Sequence, residues 1–253
     1  MAVLSGGGRR LTALPRRARL ALVAAVVLSV VAVLLLVVPG DGGGGDGDGG
    51  AGEAPAAGGH GDPLTSTTLA TGGIEVDAPD GWQAIPVPAL GFGIAVPPGW
   101  EVTVLSPEGL EALSSAAPEV EGFVESAHAA AASGGLLYAA GEDDEGQVSD
   151  VLVRAAPATD VTDASGLADY ARDLAGQAGR SDPEVETVAG AASPTVRLRF
   201  AIGDDGGEAA RGTETLVLAE DGIVWSVVVT SDDASVHDDL AARVAGTLAF
   251  APR

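Results

Sequence analysis

From Leu20 to Val38 the chain carries 19 consecutive residues of Leu, Val and Ala, broken only by Ser29. At ~1.5 Å of rise per residue such a run, as a helix, reaches about 28 Å, the depth of a bilayer's hydrocarbon core. No water satisfies backbone N–H and C=O groups there, so a helix, which closes its hydrogen bonds within the segment, is the only local solution. All 13 basic residues are Arg; five of them (Arg9, Arg10, Arg16, Arg17, Arg19) precede residue 20, and no acid does. The positive-inside rule therefore predicts a cytoplasmic tail at 1–19, a single pass of the plasma membrane at 20–38, and an extracytoplasmic remainder. The competing reading is a cleaved secretory signal, whose apolar region is usually ~7–15 residues and ends at a small-x-small site. This run is longer and exits through Val37-Val38-Pro39-Gly40, which favours an uncleaved signal anchor.

Beyond the run the charge balance reverses. The whole chain carries −23, and with the five leading arginines set apart, eight Arg against 36 Asp and Glu leave −28 on the remainder. So acidic a body repels nucleic acid and anionic headgroups, which excludes a phosphate-backbone binder. The absence of Cys excludes a disulfide scaffold, thiolate chemistry and a lipid-modified N-terminus. Residues 39–80 read as a disordered linker, with twelve Gly between positions 40 and 62 and nothing to pack a core. As a flexible coil it would span roughly 35 Å. Asp46-Gly47-Asp48 is reminiscent of calcium loops, but it lacks both the nonapeptide register and the terminal Glu of an EF-hand.

Folded patterning occupies residues 81–253. Pro79-Asp80-Gly81-Trp82 and Pro97-Pro98-Gly99-Trp100 each set a turn ahead of a Trp and a short extended run. Phe92–Val96 and Trp100–Leu105 read as strands. Ser106 is an N-cap with Pro107 at the first helical position, and after Pro118 the helical spacing of Val120, Phe123, Val124, Ala127 and Ala131 runs to Ser133-Gly134-Gly135. Leu136–Ala140 and Val148–Ala155 are strands around an acidic loop. A helix follows Asp163 or Ser165, with Leu167, Tyr170, Ala171, Leu174 and Ala178 on its inner stripe and Gly179 beyond. Val196–Ile202 alternates strictly, with Arg197 and Arg199 on the face opposite its apolar residues. Thr213–Ala219 and Ile223–Ser231 form a hairpin about Asp221-Gly222. A last helix, capped by Asp233 or Ser235, carries Val236, Leu240, Val244 and Leu248. Hairpins outnumber crossovers, so the expected class is α+β, an antiparallel sheet layered with helices.

Several of these residues together resemble a family. Gly91-Phe-Gly-Ile-Ala-Val-Pro-Pro-Gly-Trp100, the helix after it, Gly135-Leu-Leu-Tyr-Ala, Val151-Leu-Val-Arg154, the Ala168-Asp-Tyr-Ala171 helix, the strand with Arg197 and Phe200, and the closing hairpin and helix are similar to the PsbP/Mog-type superfamily, nearest to LpqN-like lipoproteins of actinobacterial envelopes. The likeness spans about residues 82–250. It implies a non-enzymatic partner of larger assemblies. The chain departs from those lipoproteins in having no Cys to acylate.

Chemistry-bearing motifs are scarce. No HExxH, GxSxG, GxGxxG or P-loop occurs, and no two of His60, His128 and His237 sit at a metal-ligand spacing. His128 lies beside an apolar stripe and reads as a packed or rim imidazole; His237, followed by Asp238 and Asp239, reads as solvated. Glu142-Asp143-Asp144-Glu145 and Asp204-Asp205 with Glu208 read as solvated acidic loops rather than cation sites. Trp82, Trp100 and Trp225 read as core or turn packing. Arg197 and Arg199 are the candidate anion or partner contacts, because forked guanidiniums on one face suit carboxylate or phosphate; the alternative is pairing with Glu214 or another acid on a neighbouring strand. No catalytic residue, metal or cofactor is expected. The functional expectation is a membrane-tethered, extracytoplasmic, non-enzymatic binding or scaffolding module with an envelope-protein partner. The alternatives are a carrier of a lipid-like amphiphile in a helix–sheet groove and, more weakly, a serine hydrolase.

Overall fold

The computed structural model describes residues 73–143, 146–180, 183–202, 210–233 and 235–252. The segment Leu20–Val38, the predicted linker up to residue 72, His60, and the acids Asp144, Glu145, Asp204, Asp205 and Glu208 lie outside them. Among the described residues no helix is long and apolar enough to cross a membrane.

The chain order is β1 (Gln83–Val87), β2 (Phe92–Val96), β3 (Glu101–Val104), α1 (Pro107–Ser115), α2 (Phe123–Ala132), β4 (Gly135–Glu142), β5 (Val148–Pro157), α3 (Ala164–Gln177), β6 (Glu184–Thr187), β7 (Thr195–Ile202), β8 (Ala210–Leu218), β9 (Ile223–Ser231), α4 (His237–Gly246) and β10 (Ala249–Phe250). Seven strands form one antiparallel sheet in the order β3-β4-β5-β9-β8-β7-β6, and β1, β2 and β10 form a small second sheet. Helix α3 carries the chain from β5 to the far edge. Hairpins then walk back through β7 and β8 until β9 pairs with β5 over nine positions.

The large sheet is covered on both faces. On one, Tyr138, Leu152, Leu198, Phe200, Leu216 and Val228 pack under α1, α2 and α3 through Phe123, Ala127, Leu167 and Ala171. On the other, Leu137, Val151, Val153, Val227 and Val229 meet Phe92, Ile94 and Val96 of the small sheet and Ala241 and Val244 of α4. Trp225 sits in that second layer with its ring centroid 5.1 Å from Phe92 and 5.4 Å from Phe250. The α+β antiparallel architecture is as expected, and it has a second small sheet that the sequence pattern did not separate from the first.

Local signals account for several boundaries. Ser106 caps α1, its Oγ accepting from the Gly109 N–H at 3.1 Å, and Asp163 caps α3, its Oδ1 accepting from the Gly166 N–H at 2.8 Å. Gly222, at φ +76°, makes the β8–β9 reversal. Other boundaries shifted. Ordered packing starts ahead of Gly81, since Ile74 is 1% exposed and lies with Val76 over Gly93. The helix expected to restart at Pro118 begins at Phe123, after a left-handed Gly122. Leu240, Val244 and Leu248 keep the expected stripe, but Val236 lies outside α4 and is 46% exposed while His237, expected in solvent, is 1% exposed. The cause is tertiary: the His237 ring is held 2.9 Å from Thr213 Oγ1 of β8. Strand β6, which no sequence pattern announced, is a short, largely exposed edge made of Glu184-Val-Glu-Thr187.

One close approach lies between β7 and β8. A Cβ on Gly212 would stand 2.2 Å from the Phe200 ring. Gly212→Ala should therefore cost ~1–3 kcal/mol by overpacking, a Tm loss of roughly 2–4 °C per kcal/mol. Gly176→Ala, in α3 with nothing within 4 Å of a new Cβ, should instead hold or raise Tm. Thermal melts of the two variants check the contrast.

Candidate functional site

Between α3, the end of α2 and strands β5, β8 and β9 lies a cavity of about 130 Å³. Tyr170, Leu174 and Ala178 of the α3 stripe form its roof, Leu216 and Val224 line its floor, and Arg154, Arg180, Glu214 and Ser226 supply the polar wall. Register puts these floor groups together, because Arg154 faces Ser226 across β5–β9 and Glu214 faces Val228 across β8–β9. All project to the helix-covered side.

Arg180 arrives from the end of α3. Gly179 takes φ +64°, the Arg180 N–H donates to the Ala175 carbonyl at 3.0 Å and the Gly179 N–H to Gly176 at 3.1 Å, a Schellman closure that turns the chain onto the sheet. The Arg180 guanidinium then lies 3.7 Å over the Phe200 ring and donates through Nη1 to Glu214 Oε2 at 2.8 Å. Ser226 Oγ donates to Glu214 Oε1 at 2.6 Å. Burial opposes the charge on Glu214, but Arg180 and Arg154 beside it and the Ser226 hydroxyl outweigh that cost and hold its carboxyl below the ordinary range. A carboxylate so stabilised is a weak base, and neither it nor Ser226 has a histidine beside it among the described residues.

Arg154 is different. It is 9% exposed, its Nε has no hydrogen-bond partner, and both oxygens of Glu214 are already taken by Arg180 and Ser226. Burial pulls its pKa down and the Arg180 charge adds to that, against the Glu214 charge that supports it. Two guanidiniums against one carboxylate leave one uncompensated positive charge on the cavity wall.

A second buried carboxylate, Asp150 on β5, lies under α2. Its Oδ1 accepts from Thr230 Oγ1 at 2.6 Å and its Oδ2 from the Tyr138 hydroxyl at 3.4 Å. Burial raises its pKa to about 6 despite those two hydrogen bonds, with Asp232 adding to the rise.

The residues singled out from sequence lie elsewhere. Arg199 sits on the opposite face of β7, 3.1 Å from Glu186, 3.6 Å from Glu184 and 3.9 Å from Asp238. Arg197 is beside it, facing Glu186 across β6–β7, with its Nε unpartnered. Glu214, named as their alternative partner, points to the other side. His128 is exposed on α2 and His237 buried under α4, on opposite sides of the large sheet, so they form no pair. Arg243 stacks 4.7 Å over Trp82, and Trp100 lies against Gly141. Asp143 accepts the Gln147 N–H within its own loop, and no group of three metal-ligating side chains gathers among the described residues. Sequence reasoning missed Arg154 and Arg180, and named Glu214 only as a partner for the opposite face. For Arg154 and Glu214 the signal was present: Arg154 falls in period-two register with Leu152 and Ala156, and Glu214 with Leu216 and Leu218, in strands of a sheet covered on both sides.

No protein-family model and no curated protein matches the chain. Solved structures similar to it include the following three. Cyanobacterial PsbP from Synechocystis sp. PCC 6803 is 14% identical, with 69% of this chain and 95% of that one covered at a TM-score of 0.38. The Saccharomyces cerevisiae Ran-binding protein Mog1p is 12% identical, with 66% and 94% covered at 0.38. LpqN, involved in cell envelope biogenesis of Mycobacterium tuberculosis, is 13% identical, with 68% and 92% covered at 0.38. These are the kinds of protein that the sequence resemblance named; the likeness extends to no ligand, partner or activity.

Two outcomes follow from the buried charges. Glu214→Gln leaves Arg154 and Arg180 buried together without a counter-charge and should cost ~3–5 kcal/mol, read as a lower urea midpoint. Asp150 binds its proton more tightly folded than unfolded, so its contribution is fully present below the ordinary carboxylate pKa and is lost as pH rises through about 6. Relative to Asp150→Asn, the native chain should lose about 2 kcal/mol between pH 4 and pH 7. Urea titrations of both proteins at the two pH values measure the difference.

Proposed function

We propose that this protein is a non-enzymatic binding module, anchored in the plasma membrane by Leu20–Val38 and held outside on the Gly-rich tether, that recruits an envelope protein through the open end of its large sheet. One observation carries the reading. Of the seven described arginines, Arg197, Arg199 and Arg211 project to one face of the paired strands β7 and β8, Arg211 lying opposite Ala201 in the register. The small sheet packs over β4, β5 and β9 and does not extend to this end. In a folded body of −20 over residues 81–253 such a cluster is the place where an acidic segment of a partner meets least repulsion and finds forked donors. Arg199 is shared among three acids, so it positions the patch, whereas Arg211 is exposed. The extracytoplasmic side is supported by the arginines ahead of residue 20 and the apolar run after them.

A carrier of a small amphiphile is the second reading, favoured by the cavity with its apolar floor and charged wall. The hydrolase reading finds less support, because Ser226 is bonded to a carboxylate held ionised rather than to a base of matched pKa.

Crosslinking on intact membranes, followed by recovery of the full-length chain, should yield a discrete partner band. The double variant Arg197→Glu with Arg211→Glu should reduce that band at least fivefold while leaving the protein in the membrane fraction. Recovery of nothing above background from the native chain, or equal recovery from the variant, counts against the module.

A further inference from the structure

We propose that the cavity under α3 is a binding site for a monocarboxylate with an apolar tail, its carboxylate received by Arg154. The inference rests on the carrier reading of this cavity and deepens it by naming the ligand class; it concerns the opposite side of the sheet from the arginine cluster on β7 and β8 and stands without the partner-binding reading.

A guanidinium nine-tenths removed from water costs free energy unless a counter-charge and hydrogen-bond acceptors meet it. Every other charge in the cavity has such a partner. Arg180 holds Glu214 Oε2 and stacks on Phe200, while Ser226 holds Oε1. Arg154 feels the Glu214 charge but bonds neither oxygen, and its Nε donor is sealed without an acceptor. A single carboxylate would restore neutrality to the three-charge cluster and bring acceptor oxygens to the Arg154 guanidinium where it lines the cavity. A dianion would overshoot and set its second charge against Glu214, which selects a monoanion over phosphate. The Tyr170 hydroxyl, near enough to feel the Glu214 charge, lines the same cavity and offers a further donor.

The remaining wall sets the rest of the ligand. Leu174, Leu216 and Val224 are apolar, and about 130 Å³ compares with the roughly 150 Å³ apolar cavity known to accept benzene. The site therefore fits a short aliphatic or aromatic acid, or the carboxylate end of a longer acyl chain whose tail leaves through the mouth.

The test uses the full-length chain in phosphatidylcholine nanodiscs and isothermal titration calorimetry with hexanoate, dodecanoate, hexan-1-ol and inorganic phosphate. Hexanoate should bind saturably and at least tenfold tighter than hexan-1-ol or phosphate. Dodecanoate binding tighter than hexanoate assigns the site to an acyl chain, and equal binding assigns it to a short free acid. Arg154→Met replaces an unpaired buried charge by an apolar side chain of similar length, so it should fold with an unchanged or higher Tm and lose at least tenfold in hexanoate affinity. Hexan-1-ol binding as tightly as hexanoate to the native chain, a comparison that needs no variant, overturns the proposal, as does full hexanoate affinity in a folded Arg154→Met protein. Neither result bears on partner recovery by the arginines of β7 and β8, so the two readings fail separately.

Discussion

A sheet covered on both faces leaves its central strands no side for water. That constraint governs β5, β8 and β9: β5 and β8 each have five consecutive buried residues and β9 has six. Apolar residues there simply pack, and the sum of that burial holds the three layers together. A polar residue there must find its partner inside the protein. Asp150, Arg154, Glu214 and Ser226 all sit on those three strands, all facing the helices.

The chain meets this demand in two different ways. Asp150 is compensated by hydrogen bonds from neutral hydroxyls, so the least costly state is a carboxyl that keeps its proton to higher pH. Glu214 is compensated by charge, so it stays ionised and fixes Arg180, which in turn ties the end of α3 to the floor of the sheet. The two carboxylates are equally buried and differ only in what surrounds them. Arg154 belongs to neither solution, and its buried Nε without an acceptor makes the cavity chemically distinct from an ordinary packing gap between helix and sheet.

Much of the fold was legible because its elements obey local rules. Ser106-Pro107 and Asp163 mark helix starts, Gly179 marks a helix end, and Asp221-Gly222 makes a hairpin, each through backbone chemistry that needs no distant partner. The alternation of Val196–Ile202 placed Arg197 and Arg199 on the face opposite the helices, where they are. What was not legible depends on neighbours far along the chain. Strand β6 exists because β7 offers it an edge, His237 is buried because Thr213 reaches it, and Ile74 is packed because Gly93 leaves room above β2. The candidate site falls in this second group: Arg154, Arg180 and Glu214 come from β5, the end of α3 and β8, and no spacing in the sequence relates them.

The amino-acid sequence by itself determined the acidic character of the body, the asymmetry between its basic start and the rest, the apolar run between them, and the order and type of most elements. These are sums and periodicities, carried by each segment irrespective of its surroundings. Only the tertiary structure decided which charges are buried, which are paired and which guanidinium of the cavity is left over. Burial and pairing are properties of juxtaposition, and the register of β5, β9 and β8 beneath α3 is what sets these groups side by side.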